Sequence, residues 1–251
     1  MNEKIVPNNI YHGDAYELIK QLSDNSVDLI VTDPPYKWTK GGDMTGLFRK
    51  GVSSRKYMNK IEEKKLDKSI NLSILDEFVR VMKKINIYIF CNKEQIYDYM
   101  KYFIEVKKCY FNILVWKKPN VTPLINNKYL SDTEFILFFR EKGVPILGEY
   151  NTKHTVYFKG NMDEKKLYEH PNVKPLEIVR NLIINSSSGN DVILDPFLGS
   201  GTTAVASKEL GRKYIGFEID KEFYDIAKNR LNGINANGQT SVFTDFDLIE
   251  E

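Results

Sequence analysis

Residues 192–204 read VILDPFLGSGTTA. The apolar residues 192–194, two of them β-branched, are typical of a buried strand. Gly199 and Gly201 mark a turn, because glycine accepts positive φ and lets the backbone approach a ligand closely. The residues from Thr202 onward predict a helix. A strand, a glycine turn and a helix in this order are typical of an open α/β sheet, which binds ligands at the carboxyl ends of its strands.

The spacing around this turn indicates a cofactor that contains a nucleoside. Gly199, Gly201 and Ala204 fit the dinucleotide fingerprint, and Glu218 ends the next predicted strand, 19 residues after Gly199. An acid at that place commonly binds ribose hydroxyls. The turn is not a phosphate-binding loop of the Walker type, since no Gly-Lys-Ser/Thr follows. The spacing does not identify the cofactor, and a plain strand-to-helix turn stays open as the alternative.

A second motif, Asp33-Pro34-Pro35-Tyr36, ends the predicted strand 27–32. The exocyclic amine of a nucleobase is a poor nucleophile, because its lone pair is delocalised into the ring. Hydrogen-bond acceptors on the amine hydrogens free that lone pair, and the Asp33 carboxylate and the Pro34 carbonyl can supply them. Tyr36 offers a face on which a base can stack after leaving its duplex. The alternative is a strand stopped by proline with a capping aspartate.

Short apolar segments alternate with amphipathic ones along the rest of the chain. We predict strands at residues 10–12, 27–32, 85–91, 111–116, 134–139, 155–158, 192–194 and 214–217. We predict helices at residues 15–22, 74–82 (with Ser73 as N-cap), 94–106, 175–184, 202–210 and 221–231. Residues 37–70 and most of 144–170 are predicted to be irregular. This order predicts an α/β fold with a mostly parallel sheet of about seven strands and helices on both faces.

The composition is that of a globular protein with one domain, 1–251. Hydrophobic residues make up 42% and charged residues 28% of the 251 residues, and no apolar run reaches the roughly 18 residues of a membrane span. The amino terminus predicts no export signal, so we expect a cytoplasmic protein. Cys91 and Cys109 have no CxxC spacing, and His12, His154 and His170 are scattered. The sequence therefore predicts neither a disulfide nor a metal site.

The net charge is only +2, but the basic residues are clustered. Residues 37–70 hold ten Lys or Arg against four acids, and residues 107–128 hold five lysines and no acid. Such stripes are expected where a protein follows nucleic-acid phosphates. A solvated loop is the alternative for residues 37–70.

Together these motifs resemble the amino-methyltransferases of DNA, in the β-class group whose catalytic tetrad precedes the cofactor loop. The resemblance extends from Ile10 to about Leu231. It implies a Rossmann-like S-adenosylmethionine-dependent methyltransferase fold with circularly permuted motif order. The implied reaction transfers a methyl group from S-adenosylmethionine to adenine N6 in a short sequence of double-stranded DNA, by base flipping. It also implies restriction–modification, with a cognate endonuclease and a homodimer as candidate partners.

The resemblance assigns roles to individual residues. The implied catalytic residues are Asp33, Pro34, Pro35 and Tyr36. The implied cofactor-binding residues, with Lys174 on the methionine carboxylate, are Asp14, Asp33, Lys174, Asp195, Phe197, Gly199, Ser200, Gly201, Thr202 and Glu218. The implied DNA-binding residues, in a loop at about 37–70 and a target-recognition region at about 118–170, are Lys37, Trp38, Arg49, Lys50, Arg55, Lys56, Lys117 and Lys118.

Two departures and several alternatives accompany this interpretation. The family usually has Thr-Gln where Asn172 and Val173 stand, and a commoner Asn where this chain continues with Lys37. Cytosine N4 is an alternative target, although the family more often shows Ser in place of Asp33 for cytosine. RNA is an alternative substrate. A nicotinamide-dependent dehydrogenase or a catalytically silent DNA-binding relative would be a different class of protein.

Neutralising the basic residues of 37–70 should weaken DNA binding. Replacing Arg49, Lys50, Arg55 and Lys56 with Gln removes phosphate contacts, so the slope of log K against log salt should become shallower by about 0.9 per lost contact. Fluorescence anisotropy between 50 and 200 mM salt measures this slope. An unchanged slope would favour the alternative, in which the segment is a solvated loop that does not contact the phosphates.

Overall fold

The chain folds around one sheet of eight strands in the order β1-β8-β7-β2-β3-β5-β4-β6. A computed structural model describes residues 4–36, 70–119, 129–130, 132–168, 173–235 and 238. The strands are β1 (Asn9–His12), β2 (Leu29–Thr32), β3 (Asn86–Cys91), β4 (Tyr110–Lys117), β5 (Thr133–Arg140), β6 (Val156–Phe158), β7 (Val192–Asp195) and β8 (Lys213–Glu218). All eight predicted strands belong to this sheet, one more than the expected count of about seven, and the three-residue β6 pairs with β4 at its edge.

The sheet is mostly parallel, as predicted. β1, β8, β7, β2 and β3 are parallel neighbours, and β6 is parallel to β4. β5 is antiparallel to both β3 and β4. The amino-terminal end of β5 therefore lies at the same edge of the sheet as the carboxyl ends of the other described strands.

Most helices lie at their predicted positions, but their bounds differ from the predicted ones. They are α1 (Ala15–Leu18), α2 (Ile74–Val81), α3 (Ile96–Met100), α4 (Met162–Tyr168), α5 (Leu176–Ser186), α6 (Thr202–Glu209) and α7 (Lys221–Leu231). A 3-10 turn (Ile19–Gln21) follows α1, a π-helical turn (Lys101–Val106) follows α3, and another 3-10 turn covers Tyr150–Thr152. Ser73 is the N-cap residue of α2, as predicted, but its side chain makes no capping hydrogen bond.

Helix α4 lies inside the stretch that was predicted to be irregular. Its sequence MDEKKLY has no long apolar period, but acids occupy its first turn and lysines its last. That distribution favours a helix through its macrodipole. The irregular segment predicted at 37–70 lies outside the described residues, except for the buried Ile70.

Apolar layers cover both faces of the sheet, as predicted. Helix α2 and the α3 region bury Phe78 and Phe103 on one face, where Phe103 stacks on Phe139 with ring centroids 4.6 Å apart. Helix α5 covers the opposite face, on which Tyr88 stacks on Phe138 at 4.1 Å. All six residues of β3 are buried, which is expected for a strand covered on both sides.

The strand order brings the two predicted motifs together. β2, which leads into the tetrad, pairs directly with β7, which leads into the glycine turn, and Ile30 lies opposite Leu194. One step further along, the Thr32 hydroxyl donates a 2.9 Å hydrogen bond to Asp195 Oδ1, and both side chains are buried. The loops after the two strands therefore start side by side.

Removing this hydrogen bond should destabilise the protein. Thr32→Val keeps the side-chain volume but leaves the buried Asp195 with one donor fewer, so the free energy of unfolding should fall by roughly 1–3 kcal/mol. Urea denaturation measures the change. Thr32→Ser is the control, because it keeps the hydroxyl; equal losses in both variants would show that packing of the methyl group matters instead.

Candidate active site

The glycine turn after β7 adopts the backbone that its sequence predicted. Gly199 and Gly201 have φ values of 53° and 81°, in the left-handed region that favours glycine. A Cβ on Gly201 would lie 2.9 Å from the Ala227 Cβ, so α7 packs against the turn only because this residue is glycine. The Gly199 N–H donates to Glu218 Oε2 at 2.7 Å.

Glu218, at the end of β8, connects the turn to the next loop. Its other oxygen accepts the Asp220 N–H at 2.8 Å, and burial raises the pKa of its carboxyl above the ordinary value. A carboxylate has about four lone-pair sites, so two backbone donors leave room for ribose hydroxyls. The remaining acceptor sites therefore fit the ribose of S-adenosylmethionine.

Asp14 lies beside Glu218 because β1 is the neighbour of β8. The Gly13 N–H donates to the Glu218 carbonyl at 2.9 Å. The Asp14 side chain accepts the Tyr16 N–H at 2.9 Å and so caps α1. Phe197, half-buried, meets the Tyr16 ring edge-to-face at 6.3 Å. Asp14 thus has a structural role as the cap of α1, and its predicted binding to the cofactor stays a prediction.

The other predicted cofactor residues shape the turn. Asp195 accepts hydrogen bonds from Thr32 and from the Phe197 N–H, and burial raises its pKa to about 7. Ser200 and Thr202 are buried and face Arg230.

Arg230 is a site residue that sequence reasoning missed. Its guanidinium is buried, lies 4.3 Å from the centre of the Tyr168 ring, and donates to Thr202 Oγ1 at 2.8 Å and Ser200 Oγ at 3.3 Å. The available signal was its position three residues after Ala227, on the buried face of the last helix. Arg230 therefore connects α7 to the start of α6.

The tetrad forms the neighbouring corner. The Pro35 carbonyl accepts Gln95 Nε2 at 3.0 Å, which fixes the backbone after Pro34. The Tyr36 hydroxyl donates to Glu134 Oε2 at 3.1 Å. Asp33 Oδ2 accepts the Lys174 ammonium at 2.5 Å.

Burial raises the pKa of Asp33, and the ammonium of Lys174 opposes that effect. Burial alone would also raise the pKa of Glu134, but Lys174 and Lys118 outweigh it and hold this pKa at about 2. The same carboxylates raise the pKa of Lys174 against the effect of its burial. The tetrad therefore lies beside a buried set of paired charges.

Several predicted residues have other surroundings than expected. Lys174, assigned to the methionine carboxylate, contacts Asp33, and Lys118, assigned to DNA, pairs with Glu134. Lys117 is exposed. Trp116 is fully buried, and its Nε1 donates to the Lys159 carbonyl at 2.7 Å, so this residue belongs to the core. The predicted DNA-binding residues outside the described parts of the chain are Lys37, Trp38, Arg49, Lys50, Arg55 and Lys56.

No group of three His, Cys, Asp or Glu side chains that could hold a metal ion is present in the described parts of the chain. Within the same parts, no helix is both long and apolar enough to cross a bilayer.

The fold and site define a class: an α/β transferase with a nucleoside-cofactor turn next to a corner that can orient an amine. The comparisons with known proteins go further. Residues 27–229 match the family N6_N4_Mtase, described as DNA methylase. The chain therefore belongs to this DNA methylase family, and it is a DNA methyltransferase that uses S-adenosylmethionine. The dehydrogenase alternative is wrong.

Individual relatives cover most of the chain. It is 31% identical over 240 residues to the Type II methyltransferase M2.LlaDCHI of Lactococcus lactis subsp. cremoris, covering 89% of this chain and 88% of the relative. It is 28% identical to M2.MboI of Moraxella bovis, covering 90% and 88%. Its structure is similar to the crystal structure of the M1.HpyAVI–SAM complex, with 29% identity, a TM-score of 0.64, and coverage of 89% and 99%.

The demethylated cofactor product should stabilise the protein. At 100 times its Kd, S-adenosylhomocysteine should add about 2.7 kcal/mol by linkage and raise Tm, whereas NAD should not. Differential scanning fluorimetry measures both. Glu218→Ala is the matched variant and should reduce the shift, because it removes the proposed partner of the ribose. A shift with NAD and none with S-adenosylhomocysteine would contradict this assignment.

Proposed function

We propose that this enzyme methylates adenine N6 in a short sequence of double-stranded DNA. One observation supports this above all: the tetrad after β2 and the glycine turn after β7 begin side by side at one edge of the sheet, joined by the hydrogen bond from Thr32 to Asp195. A flipped base held at the first corner would face a methyl donor held at the second. Much of catalysis is then positioning of the two reactants.

The residues divide between these two partners. S-adenosylmethionine supplies an electrophilic methyl group bound to a sulfonium. Glu218 holds the ribose, and the turn at Gly199 and Gly201 lets the backbone approach the cofactor. On the base side, the Asp33 carboxylate and the Pro34 carbonyl accept the two amine hydrogens. With its lone pair available, the nitrogen would accept the methyl group that the bound cofactor supplies, which would leave S-adenosylhomocysteine, and the proton that the nitrogen releases would pass to solvent.

Asp33 favours adenine over cytosine as the target. The family tendency toward Ser at this place in cytosine N4 enzymes supports this choice. Asp33 is half-buried next to the ammonium of Lys174, so a strong acceptor is available for the amine. Cytosine N4 methylation, which uses the same chemistry, is the second candidate.

The proposal extends to the biological setting. The relatives are named Type II methyltransferases, which supports pairing of this enzyme with an endonuclease that recognises the same sequence. Such an enzyme works on chromosomal DNA and therefore in the cytoplasm. The basic segments predicted at 37–70 and 107–128 would follow the DNA phosphates.

The base and its sequence context can be identified together. The protein is expressed in a methylation-deficient bacterial host, and mass spectrometry of DNA nucleosides should detect N6-methyldeoxyadenosine. Long-read sequencing then gives the recognition sequence. Asp33→Ala should lower the modification about a hundredfold or more, since the amine loses its oriented acceptor.

Two controls make the result decisive. Asp33→Ala must keep the circular dichroism spectrum of the wild type, so that its loss of activity reports on chemistry and not on folding. N4-methyldeoxycytidine in place of the adenine product would favour the second candidate. Substantial turnover by the folded variant would overturn the role of Asp33.

A further inference from the structure

Glu134 occupies a place at the tetrad that the reversed direction of β5 creates. It is the second residue of β5 and lies opposite Trp116 of β4. Because β5 runs against its neighbours, its amino-terminal end meets their carboxyl ends, where the tetrad begins. The side chain is only 7% exposed, so its carboxylate must find partners within the protein.

Three donors surround the Glu134 carboxylate. One oxygen pairs with Lys118. The other accepts the Tyr36 hydroxyl at 3.1 Å and lies 3.3 Å from the Lys174 ammonium. Lys174 in turn binds Asp33 Oδ2 at 2.5 Å and the Tyr36 oxygen at 3.3 Å.

These contacts form what we call the charge cluster: Asp33, Glu134, Lys118 and Lys174. Its two acids and two ammonium groups balance. The rings of Phe90 and Trp116 lie 5.3 and 6.0 Å from the Lys174 ammonium and limit its access to water. A buried pair that loses one partner leaves an uncompensated charge, so each member of the cluster constrains the others.

We propose that Glu134 is a positioning residue for methyl transfer, which it serves by fixing Tyr36 and the Lys174 ammonium against Asp33. The inference rests on the proposed function of the tetrad. Asp33 can accept an amine hydrogen only on an oxygen that carries no proton, and Lys174 favours that state. Glu134 holds Lys174 charged and in place, and it orients the ring on which the base would stack.

The same geometry assigns Lys174 to the base side of the site. Its ammonium is shared between two carboxylates, while its backbone carbonyl accepts the Thr202 hydroxyl at 3.3 Å. The main chain of Lys174 therefore touches the cofactor turn and its side chain touches the tetrad. Loss of Glu134 should lower turnover and leave cofactor affinity almost unchanged.

The test compares Glu134→Gln with Glu177→Gln. Glu177 is an exposed glutamate that also pairs with a lysine, Lys159, so it controls for loss of a carboxylate. Turnover is measured on a duplex that carries the sequence modified in the host, and Kd for S-adenosylhomocysteine by calorimetry. Glu134→Gln should lower kcat at least about tenfold and change this Kd and the KM for S-adenosylmethionine less than about twofold, while Glu177→Gln matches the wild type.

The pH profile separates positioning from a general loss of structure. Glu134 raises the pKa of Lys174, so without it Lys174 loses its proton at lower pH. The alkaline fall of kcat in Glu134→Gln should therefore begin at lower pH than in the wild type. A purely structural defect would scale kcat equally at all pH values and would count against the proposal.

A charge-balanced double variant guards against misfolding of the single one. Glu134→Gln combined with Lys118→Met removes one charge of each sign and keeps the pair of Lys174 and Asp33. The proposal predicts that kcat stays low, because Tyr36 and Lys174 still lack their carboxylate. Full recovery would show that Glu134 only balances charge and would overturn the inference.

The outcomes also separate this inference from the proposed function. If the wild type methylates no DNA base, the proposed function fails. If the wild type is active and Glu134→Gln keeps its kcat, or loses only cofactor affinity, the inference fails and the proposed function stands. Methylation of cytosine in place of adenine leaves the inference intact, since both amines need the same acceptors.

Discussion

Two loops that begin 163 residues apart in the chain meet because β2 and β7 are hydrogen-bonded neighbours in a parallel sheet. Parallel strands present their carboxyl ends at one edge, so the tetrad and the glycine turn must both lie at that edge. The Thr32 hydroxyl holds Asp195, and Asp195 in turn accepts the Phe197 N–H at the start of the turn. The site is thus an extension of the sheet, and the order of the strands sets its geometry.

The antiparallel strand β5 adds what parallel strands alone could not supply. Parallel neighbours bring only residues that follow a strand to the active edge, whereas β5 brings a residue from its own beginning. Glu134 therefore enters the edge on a rigid element paired on both sides, with Cys91 of β3 and Val115 of β4 opposite its neighbour Phe135. A carboxylate held on such a rigid strand keeps the Tyr36 hydroxyl, which donates to it, in a fixed position.

Much of the fold was predictable, because short buried strands and amphipathic helices have different periods. The tetrad and the glycine turn were predictable for a related reason, since proline and glycine fix their own backbones. The strand pairings were not, and the contacts of Glu134 depend on them. Glu134 carried one usable signal, a carboxylate at the start of an otherwise apolar strand, but its partners Lys118 and Lys174 are set by the register of β4 and β5 and by the fold after β6.

The electrostatics of the charge cluster explain why so polar a group lies next to Phe90 and Trp116. Removing charges such as those of Lys174 and Glu134 from water is costly, and apolar residues of similar volume are often as stabilising as a buried ion pair. Stability alone therefore gives no reason for two lysines and two acids here. A reaction that needs an unprotonated acceptor in a water-poor pocket does give one, because burial pushes the pKa of Asp33 upward, and a nearby cation, helped by the Tyr36 hydroxyl, opposes that effect. That cation is Lys174. If Lys174 were buried beside Asp33 alone, little would prevent its proton from passing to the Asp33 carboxylate. The second acid, Glu134, raises the pKa of Asp33 by its own charge, but it also stabilises the ammonium, and Lys118 balances this second acid. The cluster thus keeps in place the cation that lets Asp33 accept a hydrogen bond.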